Sequence, residues 1–297
     1  PTLDDGREAV TFDDGQGNPL YLPLPDGYDQ KEPYTNGMVA HVAVAVLQGM
    51  EGSGEDRETA VKYIHWLAQR QLARGAAYLD VNVDEYTNVE SERVEIMKWV
   101  ATYLSSKYDT PLSIDSSNVK TLATGLECCK KGIDPMVNSV SLEREEPVDV
   151  VTQFNAEAIV SAAGKSGLPT SMEDRLANFK QIVSILDSKG MAREKMHLDP
   201  LVFPISVDPM NGKNFFAATK AAVKEFPGVN INGGLSNISY GMPNRKLLNM
   251  VFTWLFVESG GNGGIIDPVQ MSPKKIGDLD PSSDSFVFAR NVLDGTD

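Results

Sequence analysis

The sequence predicts an α/β protein of the (β/α)8 TIM-barrel class with an N-terminal extension. Eight short apolar runs alternate along the chain with stretches of helical periodicity. The runs are continuously apolar, as expected for parallel strands that are covered on both faces. The length of 297 residues suits one such barrel. We therefore divide the chain into an extension, residues 1–37, and a barrel, residues 38–297.

The individual elements follow from these runs in chain order. In the extension, which is rich in Asp, Gly and Pro, residues 20–24 alternate and indicate a strand or a hairpin arm. The predicted barrel strands are residues 38–47, 76–83, 111–115, 135–140, 158–163, 195–201, 229–234 and 264–267. The predicted helices are residues 55–74, 89–107, 118–131, 147–155, 172–189, 212–226 and 243–259. Ser116 or Ser117 is expected to cap the third helix, and Pro243 to open the last one.

An open doubly wound sheet is the alternative architecture for an alternating pattern of this kind. No glycine-rich dinucleotide fingerprint follows an early predicted strand, and the sequence contains no phosphate-binding P-loop. The number of strand–helix units and the chain length both favour the closed barrel.

Composition argues against several classes of function. A net charge of −14 disfavours non-specific binding to nucleic acid or to an anionic membrane surface. No apolar run approaches the roughly 20 residues of a membrane span, and no signal peptide is expected. The two cysteines, Cys128 and Cys129, are adjacent and fit neither a disulfide nor a zinc spacing. These features predict a cytoplasmic protein.

The loop after the seventh predicted strand, residues 232–245, is dense in polar side chains. Gly233 and Gly234 allow a sharp turn or the close approach of a ligand. Ser236 and Asn237 offer hydrogen-bond donors and acceptors without a strong acid or base. Such a set suits a flat, nitrogen-rich heterocycle, although a polar strand-to-helix turn has the same composition.

Asp or Asn residues follow the apolar part of most other predicted strands. They are Asp80, Asn82, Asp115, Asn138, Asp199 and Asp267. In a (β/α)8 barrel the C-terminal ends of the strands converge on the active site, so these side chains should form a cup. Carboxylates accept hydrogen bonds and amides both accept and donate them, which matches the 2-amino-4-oxo edge of a pterin. A metal site built from three Asp residues is the alternative.

Five motifs in this order resemble the pterin-binding barrels of methyltetrahydrofolate-dependent, cobalamin-linked methyltransferases. That family includes methyltetrahydrofolate:corrinoid methyltransferases and the folate domain of cobalamin-dependent methionine synthase, and the resemblance implies a barrel similar to dihydropteroate synthase. The motifs are residues 79–82 (LDVN), 113–117 (SIDSS), 137–139 (VNS), 198–201 (LDPL) and 234–239 (GLSNIS). The resemblance covers approximately residues 76–268.

The resemblance implies a role for each matching residue. Asn237 is expected to act catalytically, because its side-chain oxygen can accept a hydrogen bond from protonated N5 of the folate. The residues expected to bind the pterin or its tail are Asp115, Asn138, Asp199, Asp80, Asn82, Ser236 and Arg245.

The implied reaction moves a methyl group between N5 of methyltetrahydrofolate and the cobalt of a corrinoid. None of the histidines, His41, His65 and His197, lies in an Asp-x-His-x-x-Gly corrinoid motif. We therefore expect the corrinoid on a separate partner protein that meets the barrel near Tyr240 and Met242. The resemblance also implies a homodimer, and no metal bound directly by this chain.

The sequence departs from the family pattern in two places and leaves other functions open. Residues 84–85 (DE) stand where many corrinoid methyltransferases have Gly, and no Glu-Arg-Ile-Asn segment precedes Ala76. A dihydropteroate synthase-like enzyme is one alternative, but residues 199–204 (DPLVFP) lack its glycine-rich segment. A non-catalytic folate-binding module and a metal-dependent aldolase barrel are the others.

Overall fold

Strands and helices alternate through most of the computed structural model, which describes residues 1–13 and 15–296 but not the side chains of residues 32 and 33. The strands are β1 (Ala9–Asp13), β2 (Pro19–Pro23), β3 (Leu79–Asn82), β4 (Leu112–Asp115), β5 (Met136–Val140), β6 (Glu157–Ser161), β7 (Met196–Asp199) and β8 (Asn230–Ile231). The α-helices are α1 (Glu32–Thr35), α2 (His41–Glu51), α3 (Gly54–Leu72), α4 (Glu90–Lys107), α5 (Val119–Glu127), α6 (Pro147–Phe154), α7 (Met172–Ser188), α8 (Asn211–Glu225), α9 (Arg245–Glu258), α10 (Pro273–Gly277) and α11 (Asp284–Asp294). In this part of the chain, no helix is long and apolar enough to cross a bilayer.

Strands β3 to β8 form one parallel sheet in which spatial order follows chain order. A single parallel bridge between Gly234 and Ile265 continues the sheet beyond β8. Each strand from β3 to β8 is followed by a helix, as the connection between parallel strands requires. This arrangement confirms the predicted (β/α)8 class and brings the C-terminal strand ends to one face.

The apolar core lies between the sheet and its surrounding helices. Ile114 of β4 and Val137 of β5 are paired in register, and both are fully buried. Helix α5 packs so closely on β4 that a Cβ added to Gly125 would lie 2.6 Å from Cγ2 of Ile114. This contact fixes the end of β4, and with it the position of Asp115.

The prediction of a strand over residues 38–47 is wrong, because most of this run lies in α2. Helix α2 packs on α3. Its Gly49 lies so close to Trp99 of α4 that a Cβ added to this glycine would be only 2.6 Å from the Trp99 ring. A short apolar run does not distinguish a strand from a buried helix, and the alanines in this run favour the helix. Beside β3, Val42 and Val46 of α2 line a cavity of about 180 Å³.

Three smaller predictions are also corrected. Residues 264–267 contribute only the bridge at Ile265 and no full strand among the described residues. The cap of α5 is Asn118, whose side chain accepts a hydrogen bond from the Thr121 amide, and not Ser116 or Ser117. Helix α9 begins at Arg245, two residues after Pro243.

The predicted hairpin is present near the start of the chain. β1 and β2 pair antiparallel from Ala9–Pro23 to Asp13–Pro19. The ring of Phe12 meets Tyr63 of α3 edge-on, with the centroids 5.0 Å apart. This aromatic contact attaches the hairpin to the helical layer of the barrel.

Replacement of Gly212 by Ala is expected to destabilise the fold. A Cβ at this position in α8 would lie 2.2 Å from the carbonyl oxygen of Leu293 in α11, so the two helices must separate. We expect a loss of about 1–3 kcal/mol in the free energy of unfolding, measured by urea denaturation. Gly277→Ala is the matched control, because its Cβ would meet no atom within 4 Å. Equal stability of the two variants would contradict the packing of α8 on α11.

Candidate functional site

Three neighbouring strands bring predicted site residues into one row at the C-terminal face. The strand registers pair Asn82 with Asp115, and Asp115 with Asn138. Adjacent strands are about 4.8 Å apart, so a single flat ligand can span the row. Asp80 lies one layer below Asn82, where its Oδ1 is 3.5 Å from Nδ2 of Asn138. The structure thus groups four of the residues singled out from the sequence.

The carboxyl groups in this row are perturbed by their surroundings. Burial and the nearby charge of Asp80 raise the pKa of Asp115 to about 6, against the lowering effects of Asn82 and Arg144. The barrel wall also desolvates Asp80 and raises its pKa, although this side chain is open to the cup. Two close carboxyl groups that resist ionisation together are typical of functional sites.

Asp84 supports the row from the loop after β3, a role that the sequence did not reveal. Its carboxylate accepts hydrogen bonds from Ser116 Oγ at 2.6 Å, Ser117 N at 2.6 Å and Ser117 Oγ at 2.7 Å. Burial works to raise its pKa, but these hydrogen bonds and the charge of Arg93 hold the pKa below its usual range. Asp84 therefore ties the loop after β3 to the loop that carries Asp115.

Asp199 lies at the end of β7, in a tight turn. Its Oδ1 accepts a hydrogen bond from the Leu201 amide at 2.8 Å, and Leu201 has a left-handed φ of 67°. Burial raises the pKa of Asp199 to about 6, against the lowering effects of the Leu201 amide and the charge of Arg175. No described group donates to its second carboxylate oxygen, which can accept a hydrogen bond from a ligand.

The loop after β8 forms a short 3-10 helix, Leu235–Ser239, that carries Ser236 and Asn237. Both side chains are half-buried, and no described protein group hydrogen-bonds either of them. A Cβ on Gly234 would lie 3.1 Å from Nδ2 of Asn237, so the glycine makes room for this amide. An unpartnered, half-buried amide at a strand end is available to a ligand.

Arg245 contacts the same loop. Its Nε donates to Ser239 Oγ at 3.0 Å and its Nη2 donates to the Ser236 carbonyl at 3.2 Å. The guanidinium carbon also lies 4.5 Å from the ring centroid of Tyr240. Arg245 thus holds the loop in place, and a direct contact with a ligand stays a prediction.

Two further residues named from the sequence make their contacts elsewhere. Asp267 accepts hydrogen bonds from the amide of Val269 and the side chain of Gln270, and so stabilises its own turn. His197 pairs with Glu157 at 2.6 Å, near the start of β6 and away from the strand ends. Within residues 1–13 and 15–296, no cluster of three or more His, Cys, Asp or Glu side chains is arranged to hold a metal ion.

The class of protein follows from the fold together with sequence similarity. A family model described as pterin binding enzyme matches residues 51–267, and the chain belongs to this enzyme family. Its relatives include the methylcorrinoid:tetrahydrofolate methyltransferase of Eubacterium limosum. The two sequences are 29% identical over 267 residues, which cover 88% of this chain and 89% of the relative. The resemblance inferred from the motifs is thereby confirmed.

Solved structures of dihydropteroate synthases share the fold. The enzyme of Xanthomonas albilineans in complex with 7,8-dihydropteroate has a TM-score of 0.60 and 16% identity, over 77% of this chain and 87% of that one. The enzyme of Stenotrophomonas maltophilia with imidazole in its active site has a TM-score of 0.60 and 16% identity, over 75% and 87%. At this identity the similarity supports the fold alone.

Proposed function

We propose that this protein transfers a methyl group between a corrinoid and N5 of tetrahydrofolate. The observation that carries the proposal is the unpartnered amide of Asn237, which follows the strand next to Asp199 in a barrel of the pterin-binding family. Carboxylates and amides complement the N–H and carbonyl groups of the pterin edge, while Asn237 is left free for N5. In this assignment Asp115, Asn138 and Asp199 hold the ring.

The proposed direction is from the corrinoid to tetrahydrofolate, because the relative from Eubacterium limosum has a name that gives this direction. The lone pair of N5 attacks the methyl carbon as the carbon–cobalt bond breaks, and that bond's electron pair stays on the cobalt. N5 becomes positively charged and then loses its proton to give methyltetrahydrofolate. The oxygen of the Asn237 amide accepts a hydrogen bond from N5–H and stabilises this charge.

The carboxylates serve binding and orientation in this proposal. An anionic Asp199 or Asp115 accepts hydrogen bonds from the ring N–H and amino groups, which fixes the face of N5. Water competes with the pterin for hydrogen bonds to these carboxylates. Each hydrogen bond therefore contributes more binding free energy to a ligand that the cup encloses than to an exposed ligand. The ring is thereby held with N5 toward Asn237 and the open mouth of the barrel.

A test of substrate class separates this proposal from its alternatives. We expect tetrahydrofolate to bind in equilibrium titrations, and methylcobalamin to convert it to methyltetrahydrofolate in the presence of the protein. Formation of dihydropteroate from p-aminobenzoate and the diphosphate of 6-hydroxymethyl-7,8-dihydropterin would instead support a synthase. Binding without either reaction would support a folate-binding module. The expected homodimer and cytoplasmic location stay predictions.

We further propose that the corrinoid protein docks on three consecutive loops at the mouth of the barrel. Each loop presents exposed apolar side chains: Leu168 after β6 (62% exposed), Val207 (78%) and Met210 (38%) after β7, and Tyr240 after β8 (51%). Ser206 Oγ donates to the carbonyl of Tyr240 at 2.5 Å, so the second and third loops touch. Exposed apolar groups above a site that must receive a large co-substrate are typical of a protein interface.

Val207→Asp is expected to weaken this docking selectively. A charge in the interface should raise the KM for a methylated corrinoid protein by about tenfold, because about 1.4 kcal/mol is lost. The rate with free methylcobalamin and the affinity for tetrahydrofolate should be unchanged. Val257→Asp is the control: Val257 is 56% exposed but lies at the end of α9 that is far from the mouth. Equal effects of both substitutions would contradict the docking surface.

A further inference from the structure

Arg175 of α7 is a buried cation close to the site. Its side chain is 1% exposed, and it is among the largest fully buried side chains of the protein. Nε donates to the Pro200 carbonyl at 2.6 Å and Nη1 donates to the Ser171 carbonyl at 3.0 Å. The guanidinium carbon lies 5.4 Å from the ring centroid of Phe203. The guanidinium thus connects the start of α7 to the segment that follows Asp199.

Among the described side chains, no carboxylate is in direct contact with this cation. Asp174 and Asp199 attract its charge, but neither forms an ion pair with it. The carboxylate of Asp174 is already engaged, because it accepts hydrogen bonds from Thr170 and Ser171 in the cap of α7. Burial accordingly lowers the pKa of Arg175. A neutral donor could satisfy the same carbonyls at lower desolvation cost, so the retained charge calls for a functional explanation.

The segment that Arg175 contacts determines where the Asp199 carboxylate points. Pro200 follows Asp199 directly and is buried, and its carbonyl accepts the short bond from Arg175. The next residue, Leu201, has a left-handed φ, a conformation that costs a non-glycine residue of order 1 kcal/mol or more. The surrounding contacts must therefore hold the turn. Among the described residues, Arg175 makes the hydrogen bond that reaches Pro200 from another element.

We propose that Arg175 is a positioning residue for Asp199: it fixes the turn that carries this carboxylate and favours the anionic form that accepts hydrogen bonds from the ligand. This inference rests on the proposed function, in which Asp199 binds the pterin. The geometry is independent of the ligand, because the contact with Pro200 is made within the protein.

The charged groups of the described residues near Asp199 come from β6, β7 and α7. On its own strand, His197 lies two residues earlier and is paired with Glu157 of β6. From α7 come Arg175 and Asp174, and the Asp174 carboxylate is hydrogen-bonded within the helix cap. Burial raises the pKa of Asp199, while the Leu201 amide and the charge of Arg175 lower it, and Arg175 is the one cation among the described residues with this effect. Removal of the cation should therefore favour protonation of Asp199.

The test compares Arg175→Gln and Arg175→Lys with the wild-type protein. Carbon-13 NMR of labelled aspartate carboxyls, assigned with Asp199→Asn, measures the titration of Asp199 without any ligand. We expect the Asp199 midpoint to rise by about one pH unit in Arg175→Gln and to stay near wild type in Arg175→Lys, which keeps the charge.

Both variants should bind tetrahydrofolate about tenfold more weakly at pH 8.5, because neither holds the turn as the planar guanidinium does. For Arg175→Gln alone, the loss of tetrahydrofolate affinity relative to wild type should be about threefold greater at pH 6.5 than at pH 8.5, because more of its Asp199 is protonated.

Two results would overturn the inference. One is an unchanged Asp199 midpoint in a folded Arg175→Gln protein. The other is unchanged tetrahydrofolate affinity in Arg175→Lys, which decides the matter if the Gln variant does not fold. Failure of the wild-type protein to bind tetrahydrofolate would instead reject the proposed function, and the ligand-free NMR titration would still decide whether Arg175 acts on Asp199.

Discussion

Replacement of Asn237 by Ala is expected to lower the rate of methyl transfer by about a hundredfold or more. Loss of one preorganised hydrogen bond to a developing charge typically costs about 2.7–4 kcal/mol in the transition state. The affinity for tetrahydrofolate should fall much less, because Asp115, Asn138 and Asp199 remain to hold the ring. Single-turnover kinetics give the rate, and equilibrium titration gives the affinity.

Asn237→Asp provides the matched comparison for this experiment. Aspartate keeps an oxygen acceptor at the same position, so it should recover part of the rate that Ala loses. Ala and Asp at this position should leave the 3-10 helix intact, because residue 237 takes part in its hydrogen bonds only through the backbone. Equal losses of rate and affinity in Asn237→Ala would assign the amide to binding and would contradict its role at N5.

Asp199→Asn is expected to stabilise the fold while it weakens ligand binding. The pKa of Asp199 is about 6 in the folded protein, above the ordinary value of 3.8. Between these values the folded state holds a proton that the unfolded state releases, so the free energy of unfolding falls as the pH rises. At pH 7.5 the ionised group costs on the order of 1–3 kcal/mol, which the neutral amide avoids.

The pH dependence identifies the cause of this effect. The stability gain of Asp199→Asn should be largest at pH 7.5 and close to zero near pH 4, measured by urea denaturation. Tetrahydrofolate affinity should fall at least about tenfold, because a charged acceptor is lost. Asp109→Asn is the control: Asp109 is exposed, pairs with Lys130 and should change stability by less than about 0.5 kcal/mol at either pH. Destabilisation by Asp199→Asn at both pH values would contradict the argument.

Asp199→Asn is thus expected to raise the stability of the fold and to lower the affinity for tetrahydrofolate. These opposite effects indicate that the site is not optimised for stability. Asp115 and Asp80 share the cup, where burial raises the pKa of both and the charge of Asp80 raises that of Asp115 further. In the proposed function, a bound pterin would add N–H donors to those that Asn82 gives Asp115 and that Asn138 gives Asp80. This is the usual relation between stability and function in a preorganised site.

The strand ends were predictable from the sequence because parallel strands are continuous apolar runs with a sharp polar end. The row of Asn82, Asp115 and Asn138 follows directly once the strands pair in chain order. The assignment of residues 38–47 failed for a related reason: the run is apolar throughout, and no polar alternation distinguishes a strand from the buried helix α2.

Contacts between distant segments were not predictable in the same way. Asp84 is 32 residues from Ser116, and Arg175 of α7 is 25 residues from Pro200, so both pairs depend on how distant segments meet above the sheet. A charged residue near the start of a helix is normally exposed, and nothing in the local pattern around Arg175 indicates burial. Capping by Asn118 was missed because Ser116 and Ser117 are equally good caps by residue type, but their hydroxyls are used by Asp84.

Anaerobic spectroscopy of methyl transfer from methylcobalamin to tetrahydrofolate tests the central claim most directly. The protein should cause the methyl-Co(III) absorbance to decay while Co(I) absorbance appears, with one methyltetrahydrofolate formed for each methyl group lost. Asn237→Ala should slow this reaction while still binding tetrahydrofolate. A wild-type protein that binds tetrahydrofolate but leaves the methyl-Co(III) spectrum unchanged from the protein-free control would contradict the proposed methyl transfer.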